Sequence, residues 1–279
     1  MIKIKFFSDF CNSTCCKNIF IKIYNLESSI LYNNKYIFTD GDDYTHAIIL
    51  NKAKPNLNIP KENVRGLACE PPYFLCLNRD FINYCEKHIS KYYIGNINNL
   101  PECFIEKYAY LWHVIPLRYM PQKNKLMSIM VSVKNFAPGH KYRHNLTKSI
   151  LKTNLPIDIY GNGCKYYNIQ DNRLKGEFKE YEPYENYKFH ICIENFQENH
   201  YFSEKITNPL LCYTTPIYLG CKNINNYFPN YVINLSGNVI DDIKLLESIC
   251  LNPNKYIKNI NQKHIIETIS IENLINEFI

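Results

Sequence analysis

No apolar run in this chain approaches eighteen residues, so the sequence predicts no membrane-spanning helix. The N-terminal text, MIKIKFFSDFCNSTCC, has too short an apolar part and too polar a continuation for a secretory signal. These two absences lead to the expectation of a soluble, cytoplasmic protein without an anchor. A structural zinc site is not expected either. Cys11, Cys15 and Cys16 are followed by no second Cys/His pair at finger spacing. The twelve cysteines are scattered, several of them (Cys76, Cys192, Cys212, Cys250) in apolar stretches, and they read as free thiols of a reducing compartment. Basic residues form no stripe. The net charge of +6 therefore suits an acidic nucleotide or a phosphorylated ligand, not nucleic acid. Internal repeats and low-complexity tracts are also missing. The excess of Lys, Asn, Ile and Tyr reads as base-composition bias and carries no functional information.

What is present is enough for real cores: 279 residues, 46% hydrophobic and 14% aromatic, fitting one large domain or two α/β lobes. Strands are expected at 2–7, 35–39, 45–50, 64–68 and 92–95. Residues 8–18 read as a loop leading to an amphipathic stretch at 19–23, and 77–90 as a helix. Residues 96–125 are looser, with Pro101, Pro116 and Pro121, and their end reads as a linker. Beyond it, 126–133 (LMSIMVSV) is a buried strand of the parallel-sheet kind. Residues 141–152 are helical, with Tyr142, Leu146 and Ile150 on one face. A strand at 157–160 ends in Gly161-Asn162-Gly163, and 165–186 is polar and irregular. After the central stretch, 231–235 reads as a last strand, 239–250 as an amphipathic helix and 261–279 as one or two helices. This alternation of strands and helices is the pattern of doubly wound α/β.

The stretch from 187 to 229 carries the chemistry. Residues 188–193 alternate apolar and polar as a strand would, and Glu194-Asn195 stand at its end. Ser203 reads as an N-cap, with Glu204-Lys205 opening a helix, and 214–219 is a second strand. Pro209 inside that helix sets a limit on its length. In a βαβ unit such a loop and helix N-terminus lie where open sheets bind ligands. A helix N-terminus beside a lysine is a natural anion site.

Four elements of this stretch, in order, are Ile193-Glu194-Asn195, Tyr201-Phe202-Ser203-Glu204-Lys205, Pro216-Ile217-Tyr218-Leu219-Gly220 and Tyr227-Phe228-Pro229. Together they resemble the α-1,3-fucosyltransferase family, glycosyltransferase family 10. The resemblance implies two Rossmann-like lobes facing a central cleft, the GT-B type. Lobe 1–121 would bind the acceptor and lobe 122–265 the nucleotide-sugar donor. A C-terminal helix, 266–279, would return to the first lobe. Animal members carry an N-terminal Golgi anchor; this chain is expected to be a bare catalytic core, as in bacterial members. The implied donor is GDP-fucose and the implied acceptor a saccharide hydroxyl. No cofactor is required, and no protein-bound divalent metal is expected.

The resemblance also assigns residues. Glu70, in Cys69-Glu70-Pro71-Pro72 after a strand, matches the element credited with the catalytic base; Glu106 and Glu102 are fallback carboxylates. Ser132 and Arg143, in the strand-loop-helix 132–150, match the element whose arginine contacts the donor diphosphate, with Lys141 as the alternative. Arg143 is expected to open its helix. Lys205 is the second cation for the leaving phosphate. Glu194, Asn195, Tyr201, Ser203 and Glu204 complete the expected donor site, the carboxylates and amide suiting hydroxyl recognition. Asp40-Gly41-Asp42 mimics a metal-binding D-x-D but reads better as a turn. His140 and His144, four apart, lack a third ligand and flank the diphosphate or face solvent. Two other readings stay open at this point: a different nucleotide sugar as donor, and a non-catalytic nucleotide-sugar or glycan-binding protein.

Overall fold

A computed structural model of the chain describes residues 1–24 and 36–278. The chain divides into two compact units. Unit 1 comprises Met1–Ile115, Glu198–Tyr201 and Ile269–Ile279; unit 2 comprises Pro116–Gln197 and Phe202–Thr268.

Unit 1 is built on a parallel sheet. Its strands are β1 (Ile2–Ser8), β2 (Tyr36–Thr39), β3 (His46–Leu50), β4 (Val64–Leu67), β5 (Lys91–Ile94) and β6 (Phe104–Glu106), in the order β2-β1-β3-β4-β5-β6. Of the strand expected at 35–39, Lys35 lies outside the described residues. Helix α1 (Ser13–Ile23) starts well before the expected amphipathic stretch. Asn12 caps it by accepting the Cys15 N–H at 2.8 Å, and Cys16, Phe20 and Ile23 form its buried face. Phe20 stacks on Phe6 of β1 at 4.4 Å between centroids. The small polar residues after Asn12 hide the helix from a periodicity reading. A short α2 (Pro72–Leu75) starts at the second proline, followed by α3 (Arg79–His88), capped by Asn78. Phe81 and Cys85 of α3 pack on Ala47, Val64 and Tyr92. Fully burying a side chain such as that of Phe81 contributes about 1.5–3 kcal/mol. The last helix, α8 (Glu272–Ile275), belongs to this unit.

Unit 2 holds the second parallel sheet: β7 (Lys125–Met130), β8 (Ile157–Tyr160), β9 (Leu174–Gly176), β10 (Tyr187–Ile193), β11 (Thr215–Leu219) and β12 (Ile233–Asn234). Their order is β12-β11-β10-β7-β8-β9. Counted from β7 within the unit this is 3-2-1-4-5-6, the order of dinucleotide-binding sheets, with the reversal between β7 and β10. Helices α4 (Pro138–Leu151), α5 (Glu204–Leu211), α6 (Val239–Leu251) and α7 (Gln262–Ile269) connect and follow the strands. Leu146 and Ile150 of α4 are fully buried against Met127, Ile129, Ile159 and Ile191, and Tyr142 packs beside them.

Three local expectations are corrected here. Helix α4 begins at Pro138, where proline's fixed φ suits the first helical position, so Arg143 lies in the second turn and does not open the helix. Strand β10 does not alternate in burial: only Lys188 is partly exposed, because a central parallel strand is covered on both faces. The irregular segments 96–125 and 165–186 contain β6 and β9, three residues each, too short to show a period.

Candidate active site

In unit 2 the switch point between β7 and β10 opens into a pocket of about 380 Å³. Open α/β sheets bind ligands in such crevices beyond the carboxyl ends of the strands, and the volume suits a small-molecule site. Ser132 lines it after β7, and Asn195 after β10. His140 and Arg143 enter from α4, and Glu204 and Lys205 from the first turn of α5. Five of the expected donor-site residues are thus brought together: Ser132, Arg143, Asn195, Glu204 and Lys205. Lys141 is exposed and does not line the pocket.

Close backbone contacts set this geometry. Gly139, in the first turn of α4, donates its N–H to the Asn195 carbonyl at 3.0 Å, and a Cβ there would collide with the Glu194 carbonyl. No residue but glycine lets the helix end approach β10 this closely. The Arg143 guanidinium is almost fully buried and donates to the carbonyl of Ile193, the last residue of β10. Ser132 accepts the Lys134 N–H with its hydroxyl, and its carbonyl lies 3.0 Å from His144 Nε2.

Lys205 is held by a buried carboxylate. Ser203 caps α5, its hydroxyl accepting the Lys205 N–H at 3.4 Å. Behind the cap, Glu194 is 1% exposed and accepts the Ser203 N–H at 2.9 Å and the Ser203 hydroxyl at 2.7 Å. The Lys205 ammonium lies 3.6 Å from Glu194, 3.1 Å from Glu204 and 3.1 Å from the Ser203 hydroxyl. Burial raises the Glu194 pKa, and Lys205 draws it back. Burial also works against the Lys205 charge, but Glu204 and Glu194 outweigh it, so its pKa stands above the ordinary value. The arrangement fixes two cations, Arg143 and Lys205, near two helix N-termini, an electrostatic setting for a phosphate group. Glu194 and Ser203 sit behind Lys205 instead of lining the pocket. Tyr201 is buried in unit 1 beside Gly95.

Unit 1 has its own crevice, about 470 Å³, also at carboxyl ends of strands. Glu70 lines it after β4, Asp9 and Phe10 after β1, and Asn51 after β3; Phe74 and Trp112 add apolar surface. Asn51 fixes the floor, accepting the Cys69 N–H with its side chain at 2.9 Å, while Asp9 accepts the Lys52 N–H at 3.2 Å. A carboxylate among aromatic faces suits a sugar, whose hydroxyls need acceptors and whose C–H face packs on rings. The fallback carboxylate Glu106 lies 3.3 Å from His200. Asp40, Asp42 and Asp43 of the D-x-D-like turn are paired with Lys17, Lys5 and Lys3. Sequence reasoning missed Asp9, Phe10 and Asn51, although all three stand within two residues of the end of a strand at the crevice. For Trp112 no sequence signal existed.

All twelve cysteines are free thiols. Among the described residues no helix is long and apolar enough to cross a membrane.

Residues 120–236 match the family described as "Glycosyltransferase family 10 (fucosyltransferase) C-term". An alpha-(1,3)-fucosyltransferase B of Drosophila melanogaster is 30% identical over 123 residues, 42% of this chain and 27% of that protein. A fucosyltransferase-like protein of Arabidopsis thaliana is 28% identical over 130 residues, 45% of this chain and 24% of that protein. The matched part thus spans about a quarter of these relatives. Among solved structures, an alpha1,3-fucosyltransferase with GDP superposes with a TM-score of 0.56 at 14% identity, covering 99% of this chain and 88% of that one. A T4 phage BGT variant in complex with UDP-glucose gives 0.51 at 11%, covering 98% and 97%. The two parallel-sheet units are of the GT-B glycosyltransferase type, and the chain resembles the α-1,3-fucosyltransferases of glycosyltransferase family 10.

Proposed function

We propose that the chain is an inverting fucosyltransferase that moves L-fucose from GDP-fucose to a hydroxyl of a saccharide acceptor. The observation that carries this reading is the switch-point pocket of unit 2, where Arg143 and Lys205 meet between two helix N-termini. Its support includes the GDP held by the superposed alpha1,3-fucosyltransferase. Unit 2 serves the donor and unit 1 the acceptor. Glu70 takes the proton of the acceptor hydroxyl. The hydroxyl oxygen attacks the anomeric carbon from the face opposite the diphosphate, and the C–O bond to the β-phosphate breaks. Arg143, Lys205 and the N-terminal turns of α4 and α5 receive the charge that develops on the departing GDP. Glu194 and Ser203 hold Lys205 in place, while Asn195 and Glu204 bind donor hydroxyls.

The test is a thermal-shift screen over GDP-, UDP- and dTDP-sugars, followed by a transfer assay. GDP-fucose is expected to raise the melting temperature where UDP- and dTDP-sugars do not. Lys205→Ala is expected to lose about two to three orders of magnitude in turnover. A shift with UDP-sugars alone overturns the donor, and near-normal transfer by Lys205→Ala overturns its role. Protection by GDP with neither transfer nor donor hydrolysis would leave a binding protein.

A further inference from the structure

His140 is the third residue of α4 and is 3% exposed, yet it lines the unit 2 pocket. Its Nδ1 lies 3.3 Å from the backbone nitrogen of Ala137, the residue that caps the helix. A backbone N–H can only donate, so Nδ1 is the acceptor and the ring proton sits on Nε2. This is the return half of a capping box, made by an imidazole instead of a Glu or Gln. The Phe136 ring meets the imidazole edge-on at 4.7 Å and fixes its plane. Nε2–H is then the donor edge; the Asn195 side chain hydrogen-bonds the ring there, and a ligand oxygen would take its place.

The groups around it decide its charge. Arg143 follows one turn later on α4, Lys134 comes from the loop before α4, and Lys205 comes from α5. Glu204 and Glu194 face the same region but are bound to Lys205 and Ser203, and the Asn195 side chain hydrogen-bonds the ring. Burial first, and then the three cations, push the imidazole down to about 4. A phosphate charge about 4 Å away would raise this by about three pH units at an effective dielectric of about 20. Protonation also needs Nδ1, so it strips the buried Ala137 N–H of its acceptor, which takes back about one unit or more. With one such charge beside it the ring therefore stays mostly uncharged at pH 7 and above.

We propose that His140 binds the donor diphosphate as a neutral hydrogen-bond donor through Nε2–H, with no proton taken up or released. The inference rests on the reading of this pocket as a nucleotide-diphosphate site. His140 supplies direction without adding a third full charge. GDP is then gripped less tightly after transfer than it would be by an imidazolium.

The test is nitrogen-15 NMR of the histidine side chains in the full chain, from pH 7 to 8.5, with and without GDP, His140 being assigned by its loss in His140→Gln. The expected result is the neutral Nε2–H pattern throughout, with the Nε2–H proton moving downfield when GDP binds. In the transfer assay His140→Ala is expected to lose about 10- to 100-fold in kcat/KM, the loss of one hydrogen bond to a charged group. His140→Gln, which keeps an N–H donor, should recover part of this with an unchanged pH profile. An imidazolium signal at pH 7 with GDP, an Nδ1–H tautomer, or GDP binding without movement of Nε2–H would each overturn the proposal. Failure to bind GDP at all would remove the nucleotide-site reading and this inference with it.

Discussion

Substitution of Glu194 is the sharpest structural test of how the site is held. Its carboxylate is buried, accepts two hydrogen bonds from Ser203 and lies 3.6 Å from the Lys205 ammonium. Glu194→Ala leaves the Ser203 N–H without an acceptor in a buried setting, about 1–3 kcal/mol. It also removes one partner of a buried ion pair, about 3–5 kcal/mol when nothing replaces it. Glu204 still bonds Lys205 at 3.1 Å, and the Lys205 side chain keeps a 24% exposure, so the second cost is reduced. The expected loss is about 3–5 kcal/mol in all. Glu194→Gln keeps an oxygen for the Ser203 N–H but loses the charge and turns the acceptor of the Ser203 hydroxyl into an N–H donor, so about 2–3 kcal/mol is expected. Lys205→Met combined with Glu194→Gln should cost less than the sum of the two, by about 1 kcal/mol or more. Urea unfolding of wild type, the Glu194→Ala, Glu194→Gln and Lys205→Met variants and the double variant measures all three quantities. Glu194→Ala within about 1 kcal/mol of wild type, or an additive double variant, would refute the argument.

Other outcomes follow from single features. Gly139→Ala drives a Cβ into the backbone of Glu194, which cannot yield as a side chain could, so about 1–3 kcal/mol is lost; Lys141→Ala, exposed two residues on, should stay within about 0.5 kcal/mol, and urea unfolding compares the two. Asn238→Ala removes the acceptor of the Ile240 and Asp241 N–H groups at the start of α6 and should cost about 1 kcal/mol by the same measurement. Burial holds His113 and His140 down to about 4 and His190 to about 3. The unfolded chain therefore binds protons between about pH 6.5 and 4 that the folded chain refuses, and stability must rise with pH there, by up to about 1 kcal/mol per pH unit for each histidine. Unfolding midpoints flat between pH 6.5 and 4.5 would contradict this. Glu70→Gln should remove most transfer while leaving the GDP-induced thermal shift unchanged.

Much of unit 2 was legible because its signals are local. The apolar run of β7, the Ser203 cap of α5 and the Tyr142-Leu146-Ile150 face need only neighbouring residues. The start of α4 was not, since Pro138-Gly139 reads as a turn until β10 is seen packed against it. Glu194 shows the same limit from the site's side. In sequence it is a carboxylate beyond a strand; its burial depends on Ser203, and on Gly220 and Tyr218 from β11, which crowd around it. The unit 1 crevice was half legible. Glu70 follows its strand and precedes two prolines, but Asp9 and Trp112 join it only through the sheet order. Lys123 is a similar case: it donates to the carbonyls of Glu185 and Cys212 and to the Thr214 hydroxyl, a set of acceptors no spacing could reveal.

The pairing of β7 with β10 has a kinetic meaning. Ser128 and His190, hydrogen-bonded across these strands at 2.8 Å, are 62 residues apart in the chain. The two rims of the unit 2 pocket therefore become neighbours only after the crossover through β8 and β9 has closed. Long-range parallel pairing of this kind is slow to form. On a ribosome, the rim at 131–143 emerges first and waits for the rim at 191–205. Nucleotide binding should thus appear late in refolding, in the same phase as protection of the β10 amides from hydrogen exchange. A ligand added during refolding would act on the end of the process and leave its early steps alone.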